Sequence, residues 1–264
     1  AVVDRCSECG GLMKRVGSGT QKVEQELFDL FPKAKVLRMD ADTVGASRGH
    51  EALLREFEEK KIPILLGTQM VAKGLDFENV TLVGVLDADL SLYAQNYHAA
   101  ERTYSLLAQV VGRAGRGERP GRAVIQTYHP ENEVIQAAAK QDYETFYQNE
   151  LRMRSLRRYP PFADLFTLTV SGLDELRVIA AARALCDALR YACSQPPLKD
   201  LEVEVLGPAG APVVKVNNRY RYCVYLCGKG GSVLRRTVSE YLLAFYARKE
   251  NRGLDIFADC NALQ

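Results

Sequence analysis

Along the first half of the chain, short apolar runs alternate with stretches whose apolar residues recur every three or four positions. Val36–Met39, Ile62–Gly67, Val80–Leu86 and Ala123–Thr127 read as strands, and Val23–Leu30, His50–Glu59 and Tyr97–Gly112 as the helices between them. The strands are apolar almost throughout rather than alternating. That pattern predicts an α/β unit built on a parallel sheet covered on both faces. Ser18 and Gln21, three residues apart before Val23 and Leu27, have capping-box spacing for the first helix.

Beyond His129-Pro130 the pattern changes. Glu131–Arg158 reads as one long polar helix ending in Arg152, Arg154, Arg157 and Arg158, cations that suit a helix C-terminus as readily as a phosphate. Tyr159-Pro160-Pro161-Phe162 stops it, since proline removes a backbone donor and restricts the residue before it, and a domain boundary is placed there. There follow a strand at Leu165–Val170, a helix at Glu175–Ser194 and a strand at Glu202–Leu206. Val213–Val216 and Tyr220–Leu226 read either as a hairpin around Asn217-Asn218 or as one bent strand with its partner. A helix at Ser232–Arg248 and a strand at Leu254–Phe257 complete the chain. The order β-α-β-β-α-β predicts a smaller α+β domain of split βαβ, ferredoxin-like type, which says little about function.

The 264 residues suffice for two domains, and 47% hydrophobic with 26% charged residues is the balance of a globular protein. The net charge of +2 means that any affinity for nucleic acid must come from local clusters. No apolar run reaches the roughly 20 residues of a membrane span. The start has no apolar leader, and its entry at Ala1, without methionine, into a cysteine motif reads as a position inside a longer protein. Seven cysteines without a leader fit a reducing, cytoplasmic setting. Cys186 with Cys193, and Cys223 with Cys227, each share a face and read as packing.

The strongest chemical signal is Gln109-Val110-Val111-Gly112-Arg113-Ala114-Gly115-Arg116. Two arginines three apart, each behind a glycine, offer two bidentate forks to phosphate oxygens near a helix end. Arginine aimed at a γ-phosphate stabilises the charge of phosphoryl transfer. A solvated basic turn is the plainer alternative. Upstream, Gly67-Thr68-Gln69-Met70-Val71-Ala72-Lys73-Gly74-Leu75-Asp76-Phe77 follows a buried strand, where α/β sheets place ligand loops. It has Ala72 and Gly74 where a phosphate-binding P-loop needs glycine and a hydroxyl, so it is not one, and nothing else in these residues supplies that pattern. Asp87-Ala88-Asp89 imitates a Mg²⁺-binding strand end but, lacking a P-loop, reads as a structural terminus.

These stretches, with Val80–Asp89 and Ala99–Arg116, resemble the second RecA-like lobe of the PriA (primosomal protein N′) family of superfamily-two DNA helicases. The resemblance is strong over 6–130 and weaker to the end, through Tyr159–Phe162, Leu206-Gly207-Pro208 and Asn218–Arg221. It implies the C-terminal part of an ATP-dependent 3′–5′ helicase that restarts stalled forks and initiates primosome assembly. Arg116 is then the arginine finger, with Arg113 beside it, and Gln109, Gly74 and Asp76 face ATP across a cleft, Asp76 reaching ribose hydroxyls or organising the arginines; the ligands of the Mg²⁺ that accompanies ATP belong to the missing lobe. Thr68 and Gln69 face the DNA backbone, and Lys73 faces either the DNA or the nucleotide. Asn96-Tyr97-His98 departs from the family's usual Asp-Phe-Arg, so no arginine role carries over and His98 reads as a helix-surface residue; His50 and His129 read as structural.

Cys6-Ser7-Glu8-Cys9 has zinc-knuckle spacing and resembles the last cysteine pair of the family's zinc region, which makes Cys6 and Cys9 half of a Zn²⁺ site. Lys215, Arg219, Arg221, Lys229, Arg235 and Arg236 are interleaved with Tyr220, Tyr222 and Tyr225. Strand alternation puts Tyr220 and Tyr222 on one face and Arg219 and Arg221 on the other. That mixture suits single-stranded bases and phosphates, and suits core tyrosines above a solvated basic face equally well. The resemblance implies branched and single-stranded DNA, other primosome proteins and the acidic tail of single-stranded DNA-binding protein as partners. It divides the chain into a zinc-region remnant (1–13), the lobe (14–130), a connecting helix (131–160) and a C-terminal domain (161–264). Without a P-loop these residues are expected to be inactive in ATP hydrolysis alone. The alternative is a non-catalytic DNA- or protein-binding module derived from a helicase lobe.

Overall fold

Strand-like and helical periods in the first 130 residues condense into short elements in the computed structural model, which describes residues 19–40, 49–68, 80–94, 96–112, 114 and 120–261. The chain divides into two compact units, Ala1–Phe146 and Tyr147–Gln264.

In the first unit, α1 (Thr20–Leu30) precedes β1 (Val36–Met39), and α2 (His50–Glu59) precedes β2 (Ile64–Gly67). β1 and β2 pair in parallel, Val36 opposite Ile64 and Met39 opposite Gly67, over a small core of Met39 and Leu53. Gly19, not Ser18, occupies the N-cap of α1, and Ser18 lies outside the described residues. β3 (Leu82–Val85) pairs in parallel with β4 (Arg122–Ile125). Between them lie the short α3 (Asp89–Leu92) and α4 (Ala99–Val111). Buried Tyr104, Leu107, Ile135, Ala138 and Phe146 form the core beside this second pair.

The strands pair in parallel, as their apolar runs predict. Among the described residues they form two separate pairs, and Leu82 on β3 is 63% exposed.

The long polar helix is also two. α5 (Glu133–Ala139) and α6 (Tyr143–Arg157) are separated by a turn, and the division between units falls within α6. The break is local chemistry. Gln141 adopts a left-handed conformation, φ 55°. Its amide donates to the Ala138 carbonyl and that of Asp142 to Ala137, the paired bonds of a Schellman ending. Asp142 then caps α6, accepting from the Thr145 amide at 3.0 Å. Polar composition alone did not reveal this reset.

The second unit is a four-stranded antiparallel sheet in the order β6-β7-β5-β8, formed by β5 (Asp164–Gly172), β6 (Glu204–Val216), β7 (Arg219–Gly228) and β8 (Asp255–Cys260). α7 (Glu175–Cys193) follows β5 and α8 (Gly231–Ala247) follows β7. Val178, Ala182, Leu185 and Leu189 recur at helical spacing on α7. They meet Phe166, Leu168 and Val170 of β5, Val224 and Leu226 of β7, and Leu234 and Val238 of α8 in one core. Residues 204–216 form one bent strand rather than two. Its register slips between Leu206 and Ala209 and again between Gly210 and Lys215. Gly207 at the first slip has φ 106°, and a Cβ there would lie 2.8 Å from the Cys223 carbonyl, so only glycine fits. Asn217 and Asn218, φ 48° and 61°, make the hairpin turn that the sequence predicts.

Candidate functional site

α4 leads into the arginine motif. Buried Thr103 ties α4 to α3: its hydroxyl lies 2.8 Å from the Ala99 carbonyl, which accepts from it, and 3.1 Å from the Ser91 hydroxyl. Tyr104 and Leu107 seat the helix on the core, and Gln109 is exposed on its last turn. Thr68 is exposed directly after β2. Arg113, Arg116, Gly74, Asp76, Gln69, Lys73, Cys6 and Cys9 lie outside the described residues.

The Asp-Ala-Asp strand end divides its labour. Asp89, 7% exposed, accepts from Thr127 Oγ1 at 3.1 Å, from the Tyr128 amide at 2.9 Å, and pairs with His129 Nδ1 at 3.0 Å. Burial pushes its carboxyl up, yet the bonds from His129, Tyr128 and Thr127 prevail and hold it below the usual carboxylate value. It therefore joins the ends of β3 and β4 structurally, as the strand-terminus reading has it, and His129 is structural with it. Asp87 Oδ1 is buried without a hydrogen-bond partner. Among the described residues no three His, Cys, Asp or Glu side chains gather as a metal site.

His98 is a correction. Its side chain is only 14% exposed, and it starts α4 with Nδ1 2.9 Å from Glu101 Oε2 and its ring 4.0 Å from that of Tyr97. The bond to Glu101 and the contact with Tyr97 cover the imidazole at the N-cap of α4, where a helix-surface position was expected.

In the second unit the strand alternation is as read. Tyr220 and Tyr222 pack on the helix-covered face, and Tyr222 donates to Glu175 Oε1 at 2.9 Å, a bond that raises the phenol's pKa, with burial adding to it. Arg219 and Arg221 lie on the other face with intramolecular partners. Arg219 bonds to Asp255 and donates to the Ser171 carbonyl at 3.1 Å. Arg221 donates to the Val213 carbonyl at 2.9 Å and pins the second irregularity of β6. Arg154 pairs with Glu150 at 2.7 Å and Arg158 with Glu202 at 3.0 Å, which leaves Arg152 and Arg157 as the exposed cations of that run. Cys186 and Cys223 are buried, as the packing reading has them.

Two family models match consecutive parts of the chain: the helicase conserved C-terminal domain over residues 15–118, and the primosomal protein N C-terminal domain over residues 155–261. The replication restart protein PriA of Bacillus subtilis (strain 168) is 42% identical over 257 residues, 97% of this chain. The chain belongs to the PriA family. It spans about 31% of that relative's length, and what it matches is the C-terminal part. The PriA of Synechocystis sp. is 42% identical over 82% of the chain and 26% of its own length; that of Rickettsia typhi is 35% identical over 85% and 34%. The boundary between the two matched PriA regions contains α5 and most of α6, the stretch whose turn at Gln141 the sequence did not reveal. The one available signal was Asp142 three residues before Thr145, a helix-start spacing inside a polar run.

Proposed function

We propose that this chain is the C-terminal part of an ATP-dependent 3′–5′ DNA helicase that restarts stalled replication forks and initiates primosome assembly. The observation that carries the reading is the placement of Gln109, exposed on the final turn of α4, at the head of an unbroken Gln-Val-Val-Gly-Arg-Ala-Gly-Arg motif. The near end-to-end match to a replication restart protein supports it.

In this reading Arg116 is the finger that stabilises charge on the transferring phosphoryl group, and Arg113 supports it. Gln109, Gly74 and Asp76 face ATP, whose phosphate cradle and Mg²⁺ ligands belong to another lobe. Thr68 and Gln69 contact the DNA backbone, and Lys73 contacts either the DNA or the nucleotide. Arg219 and Arg221 serve the scaffold first, since a phosphate would have to displace Asp255 from Arg219. Cys6 and Cys9 supply half of a Zn²⁺ site. The second unit, whose central β5 has antiparallel neighbours on both sides and helices after its first and third strands, is a split βαβ, ferredoxin-like domain. It takes branched and single-stranded DNA, primosome proteins and the acidic tail of single-stranded DNA-binding protein as partners. Residues 1–13, 14–130, 131–160 and 161–264 are the zinc-region remnant, the RecA-like lobe, the connector and this domain.

The test is reconstitution. This chain alone should not hydrolyse ATP. Mixed with a separately made half that carries the ATP-binding loop, it should restore DNA-dependent ATPase activity, and Arg116→Ala should lower that rate by about 10³-fold. Wild-type turnover by the variant would remove Arg116 from the reaction.

A further inference from the structure

We propose that Gln141 is a positioning residue for the arginine motif, gripping the end of α4 from which Arg113 and Arg116 follow. The proposal rests on the ATPase role assigned above to those arginines.

Tyr104, Ala108 and Gly112 are spaced by four and form one stripe along α4. All three are met by the short segment 141–146. Phe146 stacks on Tyr104, ring centroids 4.2 Å apart and planes 11° from parallel, and the Tyr143 ring is 6.0 Å from Tyr104. One and two turns further on, the contact passes to Gln141. Its Nε2 donates to the Ala108 carbonyl at 3.3 Å, an acceptor that also receives the Gly112 amide at 2.9 Å. The Ala108 carbonyl has two lone pairs, so the side-chain amide adds a second donor beside the helix's own bond and ties the last turn to the 141–146 segment.

Two features distinguish this contact. Gly112 has φ −68° and ψ −6°, a conformation open to any residue, so its backbone does not ask for glycine. A Cβ on Gly112 would sit 2.8 Å from Gln141 Nε2, the tip of a flexible side chain, which could move aside only by giving up its bond to Ala108. Conversely, Gln141 occupies the left-handed position of a Schellman ending, where glycine is the favoured residue. A long side chain stands at a left-handed position there, as at Lys61, Arg158 and Glu202, and at Gln141 its amide lands on the helix that leads into the motif. Guanidinium groups stabilise a transition state only when held in place beforehand, so the anchoring of that helix end sets how well they act.

The experiment uses the full-length protein and its single-stranded-DNA-stimulated ATPase. Gln141→Gly keeps the left-handed turn and removes the amide; Gln141→Asn keeps the amide but is one methylene too short to reach. Both should lower kcat by ~10-fold or more while leaving KM for ATP within about twofold. The melting temperature of the glycine variant should be unchanged or raised, because glycine relieves the turn. In an Arg116→Ala background Gln141→Gly should add less than about twofold, since both changes act on one group. Wild-type kcat in both Gln141 variants beside an impaired Arg116→Ala would overturn the positioning role alone. So would an equal loss with and without Arg116, which marks a merely structural effect. Unimpaired turnover in Arg116→Ala would remove the arginine reading itself, and this proposal with it.

Discussion

The two units solve the burial problem differently. The second wraps two amphipathic helices over one face of a four-stranded antiparallel sheet and gathers a single continuous core. The first holds two short parallel pairs over two smaller cores and leaves Leu82, Leu86 and Val124 exposed among its described residues. Parallel strands are stable when covered on both faces, whereas an antiparallel sheet tolerates one open face if polar residues line it. Thr167, Thr169, Ser171, Arg219 and Arg221 stand on that face in the second unit, opposite the helix-packed Phe166, Leu168 and Val170; Thr169 and Ser171 are themselves buried, with Arg219 bonded to Ser171. The contrast teaches that the same chain builds one unit from several short, local pairings and the other around a single continuous core.

The same truncation in each unit probes this most sharply. Leu168→Ala, at a fully buried site in the central strand, should cost about 3 kcal/mol in denaturant unfolding. Leu82→Ala on β3 should cost no more than about 0.5 kcal/mol. Equal losses would erase the distinction drawn here. The next largest effect concerns how the first unit compensates for its small cores. Asp89→Asn should destabilise by about 1–2 kcal/mol at pH 7, because asparagine keeps only one of the two oxygens that the three donors use and sets an amide donor in place of the other. The folded carboxyl is held below its ordinary value. Its contribution is therefore complete above about pH 4 and declines as acid carries the solution through the lowered folded value. Chemical denaturation at pH 7 and pH 3 should show the wild type and the Asp89→Asn variant converging at the lower pH; a constant gap would mean that the charge plays no part. The smallest effect belongs to the second unit's hairpin. Asn218→Ala should cost about 1 kcal/mol because its φ is positive, while Asn218→Gly should stay within a few tenths, as thermal melts can resolve.

Much of this arrangement was legible in the residues. The helix at His50–Glu59 and the strand at Val36–Met39 stand where the apolar period puts them, because each is decided within one or two turns of chain. The face alternation of Tyr220, Arg221 and Tyr222 followed from the pleat alone. Less legible was anything that polarity and apolar spacing do not register. The polar run after His129 looked like one helix, since polarity does not register a left-handed residue at Gln141. His98 looked like a surface residue because its neighbours Tyr97 and Glu101 fold back on it only once α4 has a core to sit on.

By itself the sequence determined most of the strands and helices, the change from an α/β to an α+β pattern and the presence of the Gln109–Arg116 motif, all of which depend on local periodicity and residue identity. Tertiary structure decided the rest. It bent β6 into one strand, joined β3 to β4 through Asp89 and His129, 40 residues apart, and laid Gln141 on Ala108, 33 residues away. Backbone propensity acts over a few residues. Hydrogen bonds and ring stacks across tens of residues form only where the fold has already brought their partners within reach.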